Sequence, residues 1–445
     1  MSSTPIQAAV ALGVPSHTGH SEPHSLEITP SDISVGVVVG RTASFFDMFV
    51  FGIACALVFP KVFFPNASEL DGMLYAFAIF ALGFVAQPIG ALFFLPVQRH
   101  YGRATKLTIA LFILGSATVG VAFLPGYASI GGASILALCV LRIGQGFATG
   151  GAWDGLASLL AMKAPGHRRG WYAAIPQLGA PIGFICAAGL FLYLWSSLTS
   201  QEFFDWGWRY PFFAAFAVNV VALFARLRLV VSPEYRAEFK QRELAPAPIG
   251  KLWDAQGKYM VLGAFAPLAS YALLNLVTIF TLAWVLLYTQ YSLTEFLSVQ
   301  IVGALVAIPC MLISGWVADK LGRRITLGLF AAAIAVYSGW TAVLLSGGRF
   351  GSYLFILIGF ALLGFSHALS SGAVTASFRR EFRYTGAHFS SDLSWLIGAG
   401  FAPVVALWLA SWQGVGYVGL YLLSGAVCTL AALWVSRRLG GLPNS

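Results

Sequence analysis

The stretch Cys139–Gly155 reads C-V-L-R-I-G-Q-G-F-A-T-G-G-A-W-D-G and sets one arginine, Arg142, inside an apolar run. A charged side chain at membrane depth is costly, so its presence points to function by default. Gln145 follows three residues later and shares a helical face with Arg142. Small residues four apart let helices approach closely. The stretch carries two such glycine pairs, Gly146 with Gly150 and Gly151 with Gly155. It predicts a closely packed membrane helix whose polar stripe faces away from lipid.

The composition extends this prediction to the whole chain. Of the 445 residues, 58% are hydrophobic and 10% are charged, and the mean hydropathy is +0.79. Apolar runs of about 20 residues, the length that crosses a bilayer, recur from end to end. We therefore predict an all-α polytopic membrane protein. The first 30 residues hold no apolar core, so no cleaved signal peptide is expected and the first span is its own insertion signal.

The apolar runs divide into two sets of six. A cytoplasmic tail is predicted over residues 1–32, an N-terminal six-helix bundle over 33–230, a polar cytoplasmic linker over 231–257, a C-terminal six-helix bundle over 258–437 and a second tail over 438–445. The predicted spans are 33–60, 71–97, 105–124, 130–161, 169–195, 208–230, 258–290, 295–317, 325–346, 351–378, 384–411 and 414–437.

The positive charges predict the orientation. With the N-terminus inside, 21 of the 26 Lys and Arg residues fall on the inner side, and only Lys61, Arg209 and Arg349 fall outside. The positive-inside rule then places both termini in the cytoplasm of a cell (inner or plasma) membrane protein. The net charge of +9 reflects this topology, so we expect the lipid bilayer and not nucleic acid as the partner of these charges.

An internal repeat accompanies the division into six and six. Gly90–Arg103 reads G-A-L-F-F-L-P-V-Q-R-H-Y-G-R after the second predicted span, and Gly315–Arg324 reads G-W-V-A-D-K-L-G-R-R after the eighth. Duplicated transporter halves leave such repeats in a sequence. The G-x-x-x-D-x-x-G-R-R form in a short loop resembles the loop signature of the major facilitator superfamily. The resemblance implies the major-facilitator fold, with twelve transmembrane helices in two six-helix bundles.

Further motifs resemble the metabolite:proton symporter family within that superfamily. They are G-R-T-A-S-F-F-D-M-F-V-F-G (Gly40–Gly52), R-I-G-Q-G-F-A-T-G-G-A-W (Arg142–Trp153), P-Q-L-G-A-P-I-G (Pro176–Gly183), W-G-W-R-Y-P-F (Trp206–Phe212) and R-Y-T-G-A (Arg383–Ala387). The resemblance implies a rocker-switch carrier that moves small organic acids or zwitterions together with protons. We expect a monomer with one central cavity, lined by the first, fourth, seventh and tenth spans.

The chain departs from the family at charged positions. Ser44 stands where the family has the first acid of its first-span motif, Gln87 where it commonly has an arginine, and Ala152 where it has a glutamate. Arg99 replaces the usual aspartate of the first loop signature. Because the site has lost a positive charge at Gln87, we expect monocarboxylates or zwitterions rather than di- and tricarboxylates.

Asp47 and Arg142 are the leading candidates for chemistry. Asp47 lies among phenylalanines, where desolvation disfavours a charged carboxyl, so it is a candidate for reversible protonation. The alternative is a carboxylate permanently paired with polar groups. Arg142 is able to bind a substrate carboxylate in a bidentate manner, to neutralise Asp47, or to form a static buried ion pair.

Other polar side chains extend the candidate site. Asp392 and His367 are further proton-coupling candidates, with a structural acid and a packing histidine as the alternatives. The substrate-binding candidates besides Arg142 are Gln145, Gln87, Tyr271, Asn275 and Trp395. The polar residues among them serve equally well as interhelical hydrogen-bonding groups.

The repeated loops hold the gating candidates. These are Asp154, Arg103, Asp319, Gly322, Arg323 and Arg324, whose charges are suited to closing one face of the carrier. Because Arg99 replaces the acid in the first half, we expect a weaker latch there, or one rebuilt through Asp154. Asp154 lies about 18 Å along the helix from Arg142, so the two do not pair.

Two classes of function remain open. The first is a secondary carrier; the second is a transport-deficient sensor or an uncoupled facilitator of the same fold. The sequence carries no phosphate-binding loop, H-E-x-x-H motif or nucleophile elbow, so neither an enzyme nor ATP-driven transport is expected. The five cysteines lie in apolar runs at no metal-like spacing, so we predict no metal site, disulfide or cofactor.

Overall fold

The structure, a computed structural model, describes residues 30–153, 155–157, 160, 164–231, 246–370 and 378–438. Regular structure in these ranges is helical throughout. Ten helical stretches are long and apolar enough to cross a membrane. They are Ile33–Leu57, Glu69–Phe123, Gly132–Gly151, Gly166–Ser197, Gly207–Val230, Ile249–Tyr288, Leu293–Leu321, Gly348–His367, Arg383–Gln413 and Gly416–Arg438.

These ten stretches make eleven spans, because one of them crosses twice, and two shorter helices outside the ten make the twelfth. Glu69–Phe123 has 55 residues and leaves helical geometry at Gly102, whose φ is 84°. At about 1.5 Å per residue it is roughly 80 Å long, more than twice the hydrocarbon core of a bilayer, so it makes the second and third spans. Arg323–Ser338 and Thr341–Ser346, interrupted at Gly339 and Trp340, together make the ninth. The spans are numbered below in chain order, and the predicted all-α fold with twelve transmembrane helices is confirmed.

Most predicted boundaries lie within a few residues of those of the structure, and three differ by about ten residues. The helix of the fourth span ends at Gly151 rather than 161, and Gly155 has a positive φ of 74°, which a continuing helix does not tolerate. The helix of the tenth span ends at His367 rather than 378. The Ser370 hydroxyl donates to the carbonyl oxygen of His367, the last residue of this helix. The seventh begins at Ile249, inside the stretch predicted as linker, and kinks at Gln256.

Two spans carry a π-helical turn, Leu276–Phe280 in the seventh and Trp395–Gly400 in the eleventh. Such turns free backbone carbonyls from their usual partners, and at membrane depth these must be bonded otherwise. Gln300 of the eighth span bonds the freed carbonyl groups of the seventh span. Its Nε2 donates to the carbonyl oxygens of Val277 and Thr278 at 2.9 and 2.7 Å. The distorted turns lie in the two helices that supply Tyr271 and Trp395.

The two halves approach closely at glycines. A Cβ on Gly170 of the fifth span would lie 2.6 Å from the Gly315 carbonyl oxygen of the eighth, and one on Gly400 of the eleventh would lie 2.8 Å from Phe84 of the second. Gly52 of the first span packs against Ile279 of the seventh in the same way. The end of the molecule that carries the loops with Gly102 and Gly322 is called the basic face below.

Candidate functional site

A cavity of about 610 Å³ lies between the halves. Its described lining comes from the first, second and fourth spans and, in the second half, from the eleventh. Of the described residues, none from the seventh or tenth span lines it, and residues 371–377 of the predicted tenth span lie outside the described ranges. The lining residues that bear on function are Ser44, Asp47, Gln87, Arg142, Gln145 and Trp395.

Glycines bring the fourth span against the second. A Cβ on Gly146 would overlap the Gly83 carbonyl, and one on Gly150 would overlap the Gln87 carbonyl. This is the close approach that glycines four residues apart predict. It sets the Arg142 guanidinium directly over Gly83, where a Cβ would lie 2.6 Å from Nε.

Arg142 is buried in an aromatic enclosure. Its guanidinium carbon lies 4.3, 4.8 and 5.6 Å from the ring centroids of Phe51, Phe80 and Phe84. Nε donates to the Phe80 carbonyl oxygen at 3.1 Å, and Nη1 donates to Gln145 Oε1 at 3.2 Å. Cation–π contacts of this kind stabilise a desolvated guanidinium. The charge is therefore held in a defined orientation at the cavity wall.

Asp47 is joined to Arg142 through two intermediates. Its Oδ1 accepts from the Thr118 hydroxyl at 2.6 Å and from Asn219 Nδ2 at 3.4 Å. Thr118 in turn accepts from Gln145 Nε2 at 2.9 Å. The hydrogen bonds run in the order Arg142, Gln145, Thr118, Asp47, and we call this set the relay. The direct pairing of Asp47 with Arg142 that the sequence left open is replaced by the relay in the described structure.

Asp392 bridges the halves. Its Oδ1 accepts from Gln87 Nε2 of the second span at 2.7 Å, and its Oδ2 lies 3.4 Å from Nε2 of His388, one turn earlier in the eleventh span. The His388 ring stacks on that of Trp153, with centroids 5.0 Å apart and planes 9° apart. Gln87 therefore contacts an acid of the other half at the place where the family commonly has an arginine.

Tyr271, Asn275 and His367 lie behind the cavity wall. The Tyr271 ring stacks on Trp395 at 4.3 Å, and the His367 ring meets Trp395 edge-on at 6.3 Å. Asn275 Nδ2 donates to the Ala399 carbonyl oxygen at 2.7 Å, which ties the seventh span to the eleventh within one half. Neither ring nitrogen of His367 has a hydrogen-bond partner in the described part of the chain. The structure thus places the Tyr271 and His367 rings against Trp395, and none of the three residues is in the described lining of the cavity.

At the basic face, Asp319 and Arg323 reach across to the fifth span. Asp319 accepts from the backbone N–H groups of Gly170 and Trp171 at 2.5 and 3.2 Å, and Arg323 Nη2 donates to the Arg169 carbonyl oxygen at 2.7 Å. Gly322, with φ of 87°, ends the eighth span between them. Arg324 differs from its neighbour, because its Nη2 donates to Ser436 at 3.0 Å within the second half.

The first half makes its own contacts across the basic face, centred on Tyr384 of the eleventh span. The Tyr384 hydroxyl lies 3.1 Å from Gln98 Oε1 and 3.2 Å from the Trp153 carbonyl oxygen, which also accepts from Lys106 Nζ. The Arg103 guanidinium lies 4.9 Å from the Tyr384 ring centroid. Asp154, the acid expected to rebuild this latch, lies outside the described residues.

Several residues of the site were not predicted from the sequence. Thr118 and Asn219 carry no signal beyond being single polar residues in apolar runs. His388 stands four residues before Asp392, a spacing that would have suggested it. Arg41 and Arg142 were the two cations assigned to neither side of the membrane. Arg41 lines the cavity, and its guanidinium lies 5.8 Å from the Trp153 ring centroid.

Comparison with known proteins places this arrangement in context. The family model described as "Major Facilitator Superfamily" matches residues 37–390. The chain is 34% identical over 428 residues to the inner membrane metabolite transport protein YhjE of Escherichia coli (strain K12), covering 93% of this chain and 97% of that protein. It is 29% identical over 419 residues to the shikimate transporter of the same strain, covering 90% and 92%.

A solved structure shows the same fold. The proton:xylose symporter XylE, bound to 6-bromo-6-deoxy-D-glucose, matches with a TM-score of 0.67 over 92% of this chain and 95% of that one, at 16% sequence identity. The twelve spans and the two-bundle division are therefore those of a known transporter architecture.

Proposed function

Because the chain belongs to the major facilitator superfamily, we propose that it is a proton-coupled symporter of a small organic acid, a monocarboxylate or a zwitterion, that works by alternating access. Its relatives are metabolite transport proteins, and the chain is a multi-pass membrane transporter. The observation that carries the proposal is the relay, which joins a buried cation to a buried acid in the wall of one cavity.

Arg142 is the proposed binding group for a substrate carboxylate. The guanidinium is planar and always charged, so it matches a carboxylate in a way that a lysine would not. Gln87 adds no second positive charge, and its contact with Asp392 brings an acid to the same lining. A second or third substrate carboxylate would be repelled there, which favours one carboxylate per ligand. The similarity to a shikimate transporter is in keeping with a ring-bearing acid.

Asp47 is the proposed proton carrier. A substrate carboxylate that takes Arg142 Nη1 competes with Gln145 for this donor. Gln145 also donates to Thr118, whose hydroxyl stabilises the charged form of Asp47, so substrate binding and protonation act on one set of hydrogen bonds. Coupling requires only that substrate bind the protonated protein more tightly, and linkage makes this preference reciprocal. If Asp47 does not carry the proton, Asp392 and His367 are the next candidates for this role.

Alternating access requires the contacts at the basic face to break. We propose that two sets of contacts between the halves hold this face closed in one state. Asp319, Gly322 and Arg323 of the second half meet the fifth span, and Arg103 of the first half packs on Tyr384 of the second. Backbone N–H groups are good hydrogen-bond donors to a carboxylate, and Asp319 accepts from two of them. The basic face is proposed to be cytoplasmic, with both termini on that side of the inner membrane and the protein acting as a monomer.

Accumulation in proteoliposomes tests the function. With an inwardly directed pH gradient, the purified protein should accumulate a labelled cyclic monocarboxylate above its external concentration, and a protonophore should abolish the accumulation. Equilibration without accumulation would identify an uncoupled facilitator. Saturable binding without any flux would identify a sensor and end the symport proposal.

A further inference from the structure

A second cavity of about 660 Å³ adjoins the first toward the basic face. Arg41, Ser44, Gln87, Thr149 and Trp395 line both cavities, so the two form one continuous space. The second cavity adds its own polar wall from the end of the fourth span and from the eleventh, with Trp153, His388 and Asp392.

Two buried polar atoms of this wall lack hydrogen-bond partners. Asp392 is 2% exposed; Gln87 occupies its Oδ1, and its Oδ2 makes no hydrogen bond, although His388 Nε2 stands 3.4 Å away. Trp153 Nε1 likewise makes none in the described structure. The Trp153 backbone is held by the Lys106 and Tyr384 contacts to its carbonyl oxygen, and its ring is held by the stack on His388. Buried polar groups are bonded as a rule, so these two atoms point to a ligand group.

The chemistry of the two atoms selects the ligand group. Asp392 Oδ2 offers an acceptor and Trp153 Nε1 offers a donor. An ammonium group would satisfy the acceptor only, and it would lie in the same cavity as the positive charges of Arg41 and Arg226. A second carboxylate has only acceptors, so it would satisfy Trp153 Nε1 and leave Asp392 Oδ2 without a donor. Hydroxyl groups both donate and accept, so they satisfy both atoms without adding charge.

We propose that Asp392 and Trp153 form a hydroxyl-recognition subsite, and that the preferred substrates are hydroxylated monocarboxylates whose carboxylate lies at Arg142. The inference deepens the proposed function and rests on it for the placement of the carboxylate. His388 is a positioning residue, since it stacks on Trp153 and lies against Asp392. A site built to bond a hydroxyl discriminates strongly against ligands that lack it, because its polar groups are then left buried and unpaired.

The test is direct binding to the purified full-length protein in detergent, measured by calorimetry or ligand-induced stabilisation. The probes are cyclohexanecarboxylate, its polyhydroxylated analogue quinate, and inositol, a polyol without a carboxylate. Wild type should bind quinate at least about tenfold more tightly than cyclohexanecarboxylate. Trp153→Phe keeps the stacked ring and removes only the N–H, so it should reduce quinate affinity by about tenfold and leave cyclohexanecarboxylate unchanged.

Trp284→Phe is the matched control. Trp284 Nε1 is also buried and without a partner in the described structure, but this residue is absent from the described lining of both cavities. The control should keep the preference for quinate. If Trp153→Phe does not fold, Asp392→Asn takes its place in the test. This variant retains an oxygen for Gln87 and should weaken the binding of quinate but not that of cyclohexanecarboxylate.

The outcomes separate this inference from the proposed function. Equal binding of quinate and cyclohexanecarboxylate by wild type, or a preference that survives both variants, overturns the subsite and leaves carboxylate binding intact. Binding of inositol that is lost in Trp153→Phe, without binding of either acid, supports the subsite and contradicts the proposed function. Binding of none of the probes contradicts both.

Discussion

Gln87 donates a 2.7 Å hydrogen bond to Asp392, a residue 305 positions later in the other half of the protein. The contact crosses the interface between the bundles beside the cavity, where a carrier must open and close. A neutral amide at this position satisfies one carboxylate oxygen without neutralising the acid. The bond therefore ties the halves together through one oxygen of Asp392 and leaves the other oxygen for a different contact.

The Gln87–Asp392 bond should show as a coupling in stability. Gln87→Leu leaves a buried carboxylate oxygen without its donor, at a cost of roughly 1–3 kcal/mol. Gln87→Leu with Asp392→Leu removes both partners, which is often nearly neutral, so the double variant should melt closer to wild type than the single one. Thermal unfolding in detergent measures this. Additive losses in the double variant would show that the two side chains act independently.

Asp319 should matter for the turnover of the carrier. Asp319→Asn exchanges a charged acceptor of two backbone N–H groups for a neutral one. Each of the two charge-assisted hydrogen bonds, which contribute roughly 1.5–3 kcal/mol apiece, is thereby weakened. The initial transport rate should fall by about tenfold while expression stays near normal. Arg324→Gln is the control, because Arg324 bonds to Ser436 within its own half. Transport by Asp319→Asn at the wild-type rate would remove Asp319 from the gate.

The glycine packing of the fourth span predicts a contrast within one helix. Gly146→Ala places a Cβ into the Gly83 backbone, so the second and fourth spans must separate at a cost of about 1–3 kcal/mol or more. Gly144→Ala is the control, since its Cβ would meet only the Ala117 Cβ at 3.6 Å. We expect Gly146→Ala to lower the melting temperature and Gly144→Ala to leave it nearly unchanged. Equal melting temperatures would show that this close approach is absent in the membrane.

Arg142→Lys should impair binding itself. An ammonium group lacks the planar fork that reaches the Phe80 carbonyl, Gln145 and a substrate carboxylate together. Substrate affinity should fall by at least about tenfold, as for loss of a charge-assisted bond. Competition against labelled substrate measures this, and in wild type monocarboxylates should compete better than citrate. Stronger competition by citrate would contradict the preference for one carboxylate per ligand.

The sequence predicted two kinds of feature: those that repeat along the chain, and charged residues that are unusual in a membrane helix. The apolar runs predicted the spans, the G-x-x-x-D-x-x-G-R-R loop located Asp319 and Arg323 at an interface between halves, and Arg142 with Gln145 shared a face as their spacing required. Each of these signals is local, because it depends on periodicity, charge or a motif within about ten residues.

The contacts that assemble the site were not predictable in this way. The partner of Gln87 stands 305 residues away, and Thr118 and Asn219 are ordinary polar residues until the fold brings them to Asp47. Hydropathy also continued the fourth span past Gly151, because glycine and alanine are apolar whether or not their backbone is helical. The cavity was expected to be lined by the seventh and tenth spans, but the described residues of these spans that come nearest, Tyr271 and His367, pack against Trp395 rather than line it.

The most direct test of the account uses Asp47→Asn in two proteoliposome assays, with Asp254→Asn, a change at an exposed acid, as the control. The amide keeps the size of the carboxyl and loses the ionisable proton. We expect Asp47→Asn to lose accumulation driven by an imposed pH gradient and to retain exchange of labelled for unlabelled substrate, while the control retains both. Undiminished pH-driven accumulation by Asp47→Asn would contradict the account and move the coupling to another acid, with Asp392 the next to test.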